Sequence, residues 1–300
     1  DDRTDILVSG GERSVPSYFG GTPPTVNLGR VRASGYELEL RVNKQFKNSL
    51  RLWGNFNMTH ASNVILQKDD PELLPNYQKD AGYAIGQYRS HIDAGFLNTW
   101  DEVYGSPAHE SSDAQKLPGD YYIVDFNGDG VVDSKDSAPY GFTGTPENTY
   151  NATIGVEYKG FSAFVQLYVV TNVTCDVPLA SFGSKLNTVY NIGEWWSALN
   201  PNADVVVAPF NRTPSYNDAT QYLFDGSYFR VKNMEVAYTV YGGWAKKIGL
   251  NSFKIFLNGN NLWLWTRMPD DRESNLGGYG GGGGAYPTVR RFNLGVKFTL

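Results

Sequence analysis

One cysteine, three methionines and three histidines in 300 residues leave several kinds of chemistry without material. The lone Cys175 excludes an internal disulfide framework and any CxxC metal site, and it leaves the redox compartment open. No histidine neighbours it to make it a nucleophile, so a plain thiol is the expectation. His60, His91 and His109 are too far apart for an HxxxH or HExxH pair, which argues against a zinc hydrolase; each is expected in a loop or facing a lumen. No GxSxG elbow occurs, and the adjacent acids Asp69-Asp70 and Asp270-Asp271 read as solvated loop charges, so an enzyme is the least supported class. No stretch of eighteen apolar residues occurs, which excludes a spanning helix but not a spanning β-barrel, whose strands need only about ten residues of alternating polarity. With 26 basic and 31 acidic residues the net charge is −5, and no Lys/Arg cluster interleaves with aromatics, so nucleic acid is not an expected partner.

What the chain has is aromatic rings and turn residues: 20 Tyr, 16 Phe, 7 Trp and 33 Gly, a mixture that favours strands over helices. A mean hydropathy of −0.40 suits a soluble protein or a barrel. The length allows one large domain or two ordinary ones. The chain opens at Asp1 without Met or signal peptide, and residues 2–8 already read as strand, so a fragment or a processed product is expected.

Alternation is the organising pattern. From Tyr36 to Asn43 the apolar residues take even positions and the polar ones odd positions, and Leu50 to Thr59 follows suit after a short join. Tyr150–Tyr158 and Phe161–Val169 repeat the pattern around a tight turn at Lys159-Gly160. A third hairpin is expected over about 228–240 and 253–265, and residues 292–300 alternate to the end. The joins near 44–49, 159–160 and 241–252 are short, while those near 9–27, 61–147, 171–225 and 267–288 are long. Strict alternation of short and long joins is the habit of an outer-membrane barrel, with short periplasmic turns and long external loops. Eight strands fit this parity, with 61–147 and 171–225 as long external loops. Tyr158, Phe161, Trp244, Trp263 and Trp265 lie near strand ends, where interfacial girdles belong.

Within the longest excursion, Asp125, Asn127, Asp129, Asp133 and Asp136 place side-chain oxygens at positions 1, 3, 5, 9 and 12 of a twelve-residue loop, with Gly130 at the sharp turn and the Val131 carbonyl at position 7. That is a calcium cage in composition and spacing, preceded by extended chain where a helix would ordinarily stand. The alternative is a run of Asx turns. Gly277 to Gly284 reads as a flexible linker in the last external loop. Trp195-Trp196 could stack on a sugar, with packing inside a long loop as the stronger expectation.

Several segments together resemble the SusC/RagA type of TonB-dependent outer-membrane transporter: Pro118-Gly119-Asp120 ahead of Asp125-Phe126-Asn127-Gly128-Asp129-Gly130, then Asp133, Asp136, Gly141 and Pro146. Asn27-Leu28-Gly29-Arg30-Val31 before Gly35-Tyr36-Glu37, the stretch Gly82 to Gly95, Trp195-Trp196 with Asn200-Pro201, residues 227–233, Asn260-Asn261-Leu262, Tyr286-Pro287 and Arg291-Phe292 also fit. Residues 269–273 and the terminal Leu300 depart from the pattern. The resemblance implies an all-β, transmembrane antiparallel β-barrel, of which residues 1–300 supply about eight C-terminal strands of a larger plugged barrel in the bacterial outer membrane. It further implies active import of glycans or peptides, a SusD-like surface lipoprotein as lid, energy from TonB through a part not in this chain, and a structural Ca2+. Two other readings compete. One is a small self-closed eight-stranded barrel for anchoring or adhesion, with Glu37, Glu39, Arg41 and Glu157 packed inside it. The other is a soluble calcium-dependent carbohydrate-binding protein.

Overall fold

The computed structural model describes the chain except residues 11, 12, 17, 19, 112, 177–193, 195, 203–218, 244–246, 248, 269–287 and 300. Eight strands form one antiparallel sheet in simple chain order: β1 (Asp2–Val8), β2 (Val26–Gln45), β3 (Leu50–Gln67), β4 (Asn148–Tyr158), β5 (Phe161–Thr171), β6 (Tyr228–Tyr241), β7 (Ser252–Thr266) and β8 (Arg291–Thr299). Among the described residues no ladder joins β1 to β8, so the sheet is an open wall with two edges. That counts against a self-closed eight-stranded barrel. So does the side chain of Arg41, which is 76% exposed rather than packed inside a small lumen. No described helix is long and apolar enough to cross a membrane.

The alternating sequence becomes two faces because directly paired residues in antiparallel strands point the same way. Leu40 pairs with Phe56, Phe56 with Ala152, Ala152 with Leu167, Leu167 with Val231 and Val231 with Trp263, giving one apolar row across six strands. Another runs Leu52, Val156, Ala163, Val236, Leu257, Leu294. Large side chains on this face stay in the open: Leu40, Ile154, Leu257, Trp263 and Leu294 are all more than half exposed. A soluble protein rarely leaves so extended an apolar face uncovered.

The turns at one end are short for definable reasons. Lys159 and Gly160 both have positive φ (46° and 88°), the two-residue turn whose twist matches a hairpin. A Cβ on Gly160 would stand 2.4 Å from the Thr239 carbonyl oxygen, so the neighbouring strand also requires glycine there. Between β2 and β3, Ser49 turns at φ 67° and the Asn48 side-chain oxygen accepts from the Leu50 N–H.

β3 continues to Gln67, beyond the Thr59 end that alternation marks, so residues 61–67 are strand rather than loop. This extension carries the long excursion: the Ile65 N–H donates to the Tyr83 carbonyl, the Gly82 N–H to the Ile65 carbonyl, and the Ala61 N–H to the Glu147 carbonyl. His60 lies in β3 on the apolar face, stacked on Tyr36 at 5.1 Å with Nδ1 2.7 Å from Asn148 Oδ1, and not in a loop or on the polar face.

The compact apolar core lies in the excursions rather than the wall. Tyr121, Ile123 and Val132 from the first long loop pack with Ala219 and Tyr222 from the second. Below them Val170, Val173, Tyr228 and Met268 form a second cluster, and Cys175 and Phe224 touch both. The two long loops thus form one cap seated on the strand ends.

Candidate functional site

Four short ribbons build the cap: Gln87–His91 with Ser137–Thr143, Asp93–Phe96 with Tyr121–Ile123, Ala108–His109 with Val131–Val132, and Thr174–Asp176 with Leu223–Asp225. Residues 125–136 hang between these as a wrapped loop. Gly128 and Gly130 take φ 74° and 90°, which lets the chain curl round Asp125. The Asp125 carboxylate accepts from the N–H groups of Gly128 (2.7 Å), Asp129 (3.2 Å) and Gly130 (2.7 Å). Asn127 Oδ1 accepts from the Asp129 N–H, and Asp129 Oδ1 from the Val131 N–H.

Asp136 closes the circle. It is fully buried, with Oδ1 accepting from the Phe126 and Asn127 N–H groups and Oδ2 from the Asp133 N–H. Position 12 therefore clamps the loop back to positions 2, 3 and 9. The Lys135 ammonium lies 2.7 Å from Asp133 Oδ2 and 3.9 Å from Asp129 Oδ2. Its hydrogen bond, followed by that from the Lys135 N–H, holds the Asp133 carboxyl below the usual carboxylate range. His91 Nε2 stands 2.9 Å from the Asp133 carbonyl, a contact that requires the proton on Nε2.

All six sequence-expected ligands, Asp125, Asn127, Asp129, Val131, Asp133 and Asp136, lie on this one loop, and their oxygens are of the kind a hard cation takes. Their carboxylates turn to backbone N–H groups, however, and among the described residues no group of three or more His, Cys, Asp or Glu side chains is placed to hold a metal. The Asx-turn alternative is therefore visible in the hydrogen bonds. A carboxylate oxygen that accepts one N–H keeps a further lone pair.

The cap is tied together by contacts that sequence spacing does not reveal. Trp196, on the second loop, donates from Nε1 to Asn98 Oδ1 at 2.8 Å and lies over Gly119, where a Cβ would stand 2.5 Å from its ring. Gly119 is at φ 98°, so both the turn and the indole require glycine. Trp196 thus packs inside the cap; Trp195, the Gly277–Gly284 linker and Trp244 lie outside the described residues. Lys116 is buried and bonded to Ser106 Oγ (2.9 Å), the Pro107 carbonyl (3.0 Å) and Asp113 (2.8 Å). Burial, helped by that ammonium, pushes the His109 imidazole down to about 4, and burial pushes the Tyr222 phenol up to about 12.

Beneath the cap, the second face of the wall is polar. A row of amides crosses it: Gln166 donates to Asn151 (3.4 Å), Asn233 to Gln166 (2.5 Å), and Asn260 to Asn233. One register step away Asn293 donates to Asn258 at 2.8 Å, and charges on this face pair as Arg51–Glu157 and Lys254–Glu235. Tyr158 and Phe161 stand at the short-turn end of the apolar face and Trp263 and Trp265 at the cap end, all partly exposed. An exposed apolar band, aromatic edges and a hydrogen-bonded polar reverse side are what a membrane-barrel wall needs.

No family model matches the chain. Two curated relatives do, both from Formosa agariphila: TonB-dependent receptor P3, 25% identical over 310 residues covering 95% of this chain, and TonB-dependent receptor P26, 25% identical over 329 residues covering 96%. The chain is related to the TonB-dependent receptors. It spans just under a third of their length, 30% and 31%. Among solved structures, the RagAB peptide transporter superposes on 99% of this chain and 32% of its own chain, with TM-score 0.63 and 15% identity. The RagAB peptide importer in the open-open state covers 100% with TM-score 0.64 and 16% identity. The eight-stranded wall thus has the fold of the matching third of the RagAB chains, and its curated relatives are receptors and not enzymes.

Proposed function

We propose that this segment forms about eight strands of the wall, and part of the external cap, of a bacterial outer-membrane importer that takes up glycans or peptides in a TonB-dependent manner. The observation that carries this reading is the continuous exposed apolar face across the wall, joined to receptor relatives that align over nearly the whole chain. The eleven-residue β4 spans about 36 Å along its axis, and about 28 Å along a membrane normal at a tilt near 40°, enough for an apolar band about 25 Å tall. The long joins then lie outside the cell and the short ones in the periplasm, which puts the cap where nutrient arrives. A SusD-like surface lipoprotein would cover the cap, and TonB would act through a part of the receptor outside this chain.

In the same reading the loop 125–136 holds a structural Ca2+ through Asp125, Asn127, Asp129, the Val131 carbonyl, Asp133 and Asp136. The ion would offset the mutual repulsion of four carboxylates, which backbone N–H groups and Lys135 answer in part, and would stiffen the cap. Support comes from the donor set and from a backbone already wrapped by the Gly130 N–H to Asp125 bond. Uptake of labelled oligosaccharides and oligopeptides by cells carrying the intact receptor, with and without a functional TonB, tests the proposal. Loss of uptake without TonB is expected; TonB-independent uptake would refute it.

A further inference from the structure

The two ends of the wall carry opposite charge. The three short joins, residues 44–49, 159–160 and 241–252, hold Lys44, Lys47, Lys159, Lys246 and Lys247 and not one Asp or Glu. The longest excursion, residues 68–147, holds fifteen acidic against five basic residues. In a chain of net charge −5 the short-turn end is thus a local reversal of sign. Lys44, Lys47, Lys159 and Lys247 are all exposed, while Lys246 lies outside the described residues. Among the described residues none of these four lysines is in an ion pair; the wall acids Glu157 and Glu235 are taken by Arg51 and Lys254.

The lysines stand where the apolar face ends. Leu50, Tyr158, Phe161, Tyr238, Ile255 and Val296 pair in register and form a row of that face beside the short turns. Its three rings, Tyr158, Phe161 and Tyr238, are exposed. The Lys159 ammonium lies 5.2 Å from the centre of the Tyr158 ring, within cation–π reach, and the fixed left-handed turn at Lys159 sets where its stem leaves the chain. Lys44 pairs with Leu52 and so belongs to an apolar row. A lysine placed there lays its stem on apolar surface and carries its ammonium to the polar edge. Lys47 sits in the turn closed by the Ser49 N–H on the Phe46 carbonyl at 3.2 Å, next to the exposed Phe46 ring.

We infer that the short-turn end of the wall binds the headgroups of anionic phospholipids. Whatever covers the apolar face ends where that face ends, at the aromatic row, and the groups it presents just beyond meet ammonium groups spread over three successive hairpins. An anionic phospholipid answers both halves: acyl chains for the apolar face, and a headgroup of net negative charge for the lysines. A zwitterionic headgroup carries the same phosphate with its own ammonium beside it, so it gains less from the same lysines. An acidic protein would meet the lysines but leave the aromatic row and the apolar face bare. The inference rests on reading the wall as membrane-embedded, and it adds which lipid the wall selects and at which end.

The test is electron spin resonance of the intact receptor in phosphatidylcholine bilayers, with a trace of spin-labelled phosphatidylglycerol or spin-labelled phosphatidylcholine, reading how much of each probe the protein immobilises. The phosphatidylglycerol probe should be held about threefold or more in preference at low salt, and the preference should shrink in ~1 M NaCl. Replacing Lys44, Lys47, Lys159 and Lys247 together by Gln should remove about half of the preference or more. Replacing the same four by Arg should keep it, with heat-modifiable migration confirming that both variants fold. Equal immobilisation of the two probes, or a preference untouched by the Gln variant, would overturn the inference. So would soluble polyglutamate binding through these lysines with no preference between the probes, which would assign the surface to an acidic protein. Failure to immobilise either probe would sink the membrane reading and this inference with it, whereas immobilised lipid without headgroup preference would sink the inference alone. A lysine-dependent preference in a receptor whose uptake needs no TonB would keep the lipid surface and refute the import reading.

Discussion

Gly155 shows how single residues set the wall. It faces Trp53 across the β3–β4 ladder, and a Cβ there would stand 2.2 Å from the indole. Gly155→Ala should force the ring aside and destabilise the wall by about 1–3 kcal/mol, measurable as a lower urea midpoint with shifted tryptophan fluorescence. Gly119→Ala should act in the cap instead, displacing Trp196 and loosening the join between the two long loops while leaving the wall intact. His109 gives the cap a pH dependence. Its imidazole titrates near 4 when folded and near 6.5 when unfolded, so both states are neutral above pH 6.5. Between pH 6.5 and about 4 only the unfolded chain takes up the proton, and cap stability is lost as pH falls through that window. Amide-exchange protection of residues 108–132 should fall accordingly, and His109→Gln should flatten the slope.

At the scale of elements, the strands were largely legible and the cap was not. Tyr228–Tyr241 and Ser252–Thr266 lie within a residue or two of the bounds that alternation marks, because each face of a wall strand meets one environment throughout. Residues 61–67 were missed because Val64-Ile65-Leu66 breaks the alternation; the stretch pairs with residues 30–35 of β2 and is bonded to the Tyr83 turn. The cap ribbons are two to seven residues long and are joined by contacts far apart in sequence, such as Asp93 with Thr220, which no local pattern announces. The twelve-residue loop was legible in its donors but not in its closure: the burial of Asp136 beneath three N–H groups is a tertiary result. If the loop takes Ca2+, chelation should lower the melting temperature of the cap, restored by calcium. Asp129→Ala should abolish that difference and weaken substrate capture without unfolding the wall. Equal melting with and without chelator would remove the ion from the proposal.

At the scale of the molecule, the wall is incomplete by itself. Among the described residues, β1 and β8 each leave one edge without a strand neighbour, and most of β8 is exposed on both faces. In the proposed membrane setting the apolar face meets lipid, and a charge such as Leu294→Arg should cost about 2–4 kcal/mol if the residue lies near the bilayer midplane. The polar face, with its amide row and paired charges, needs water or protein. Both requirements are met if the segment belongs to a larger barrel, as the third-of-length alignment to its relatives suggests. The most direct test is the size of the native polypeptide in outer-membrane extracts, found with peptides from this chain. The expected result is a membrane-embedded chain roughly three times as long as these 300 residues, matching the relatives' proportions. A native chain of about 300 residues, folded alone and without a companion fragment to pair with β1 and β8, would contradict it.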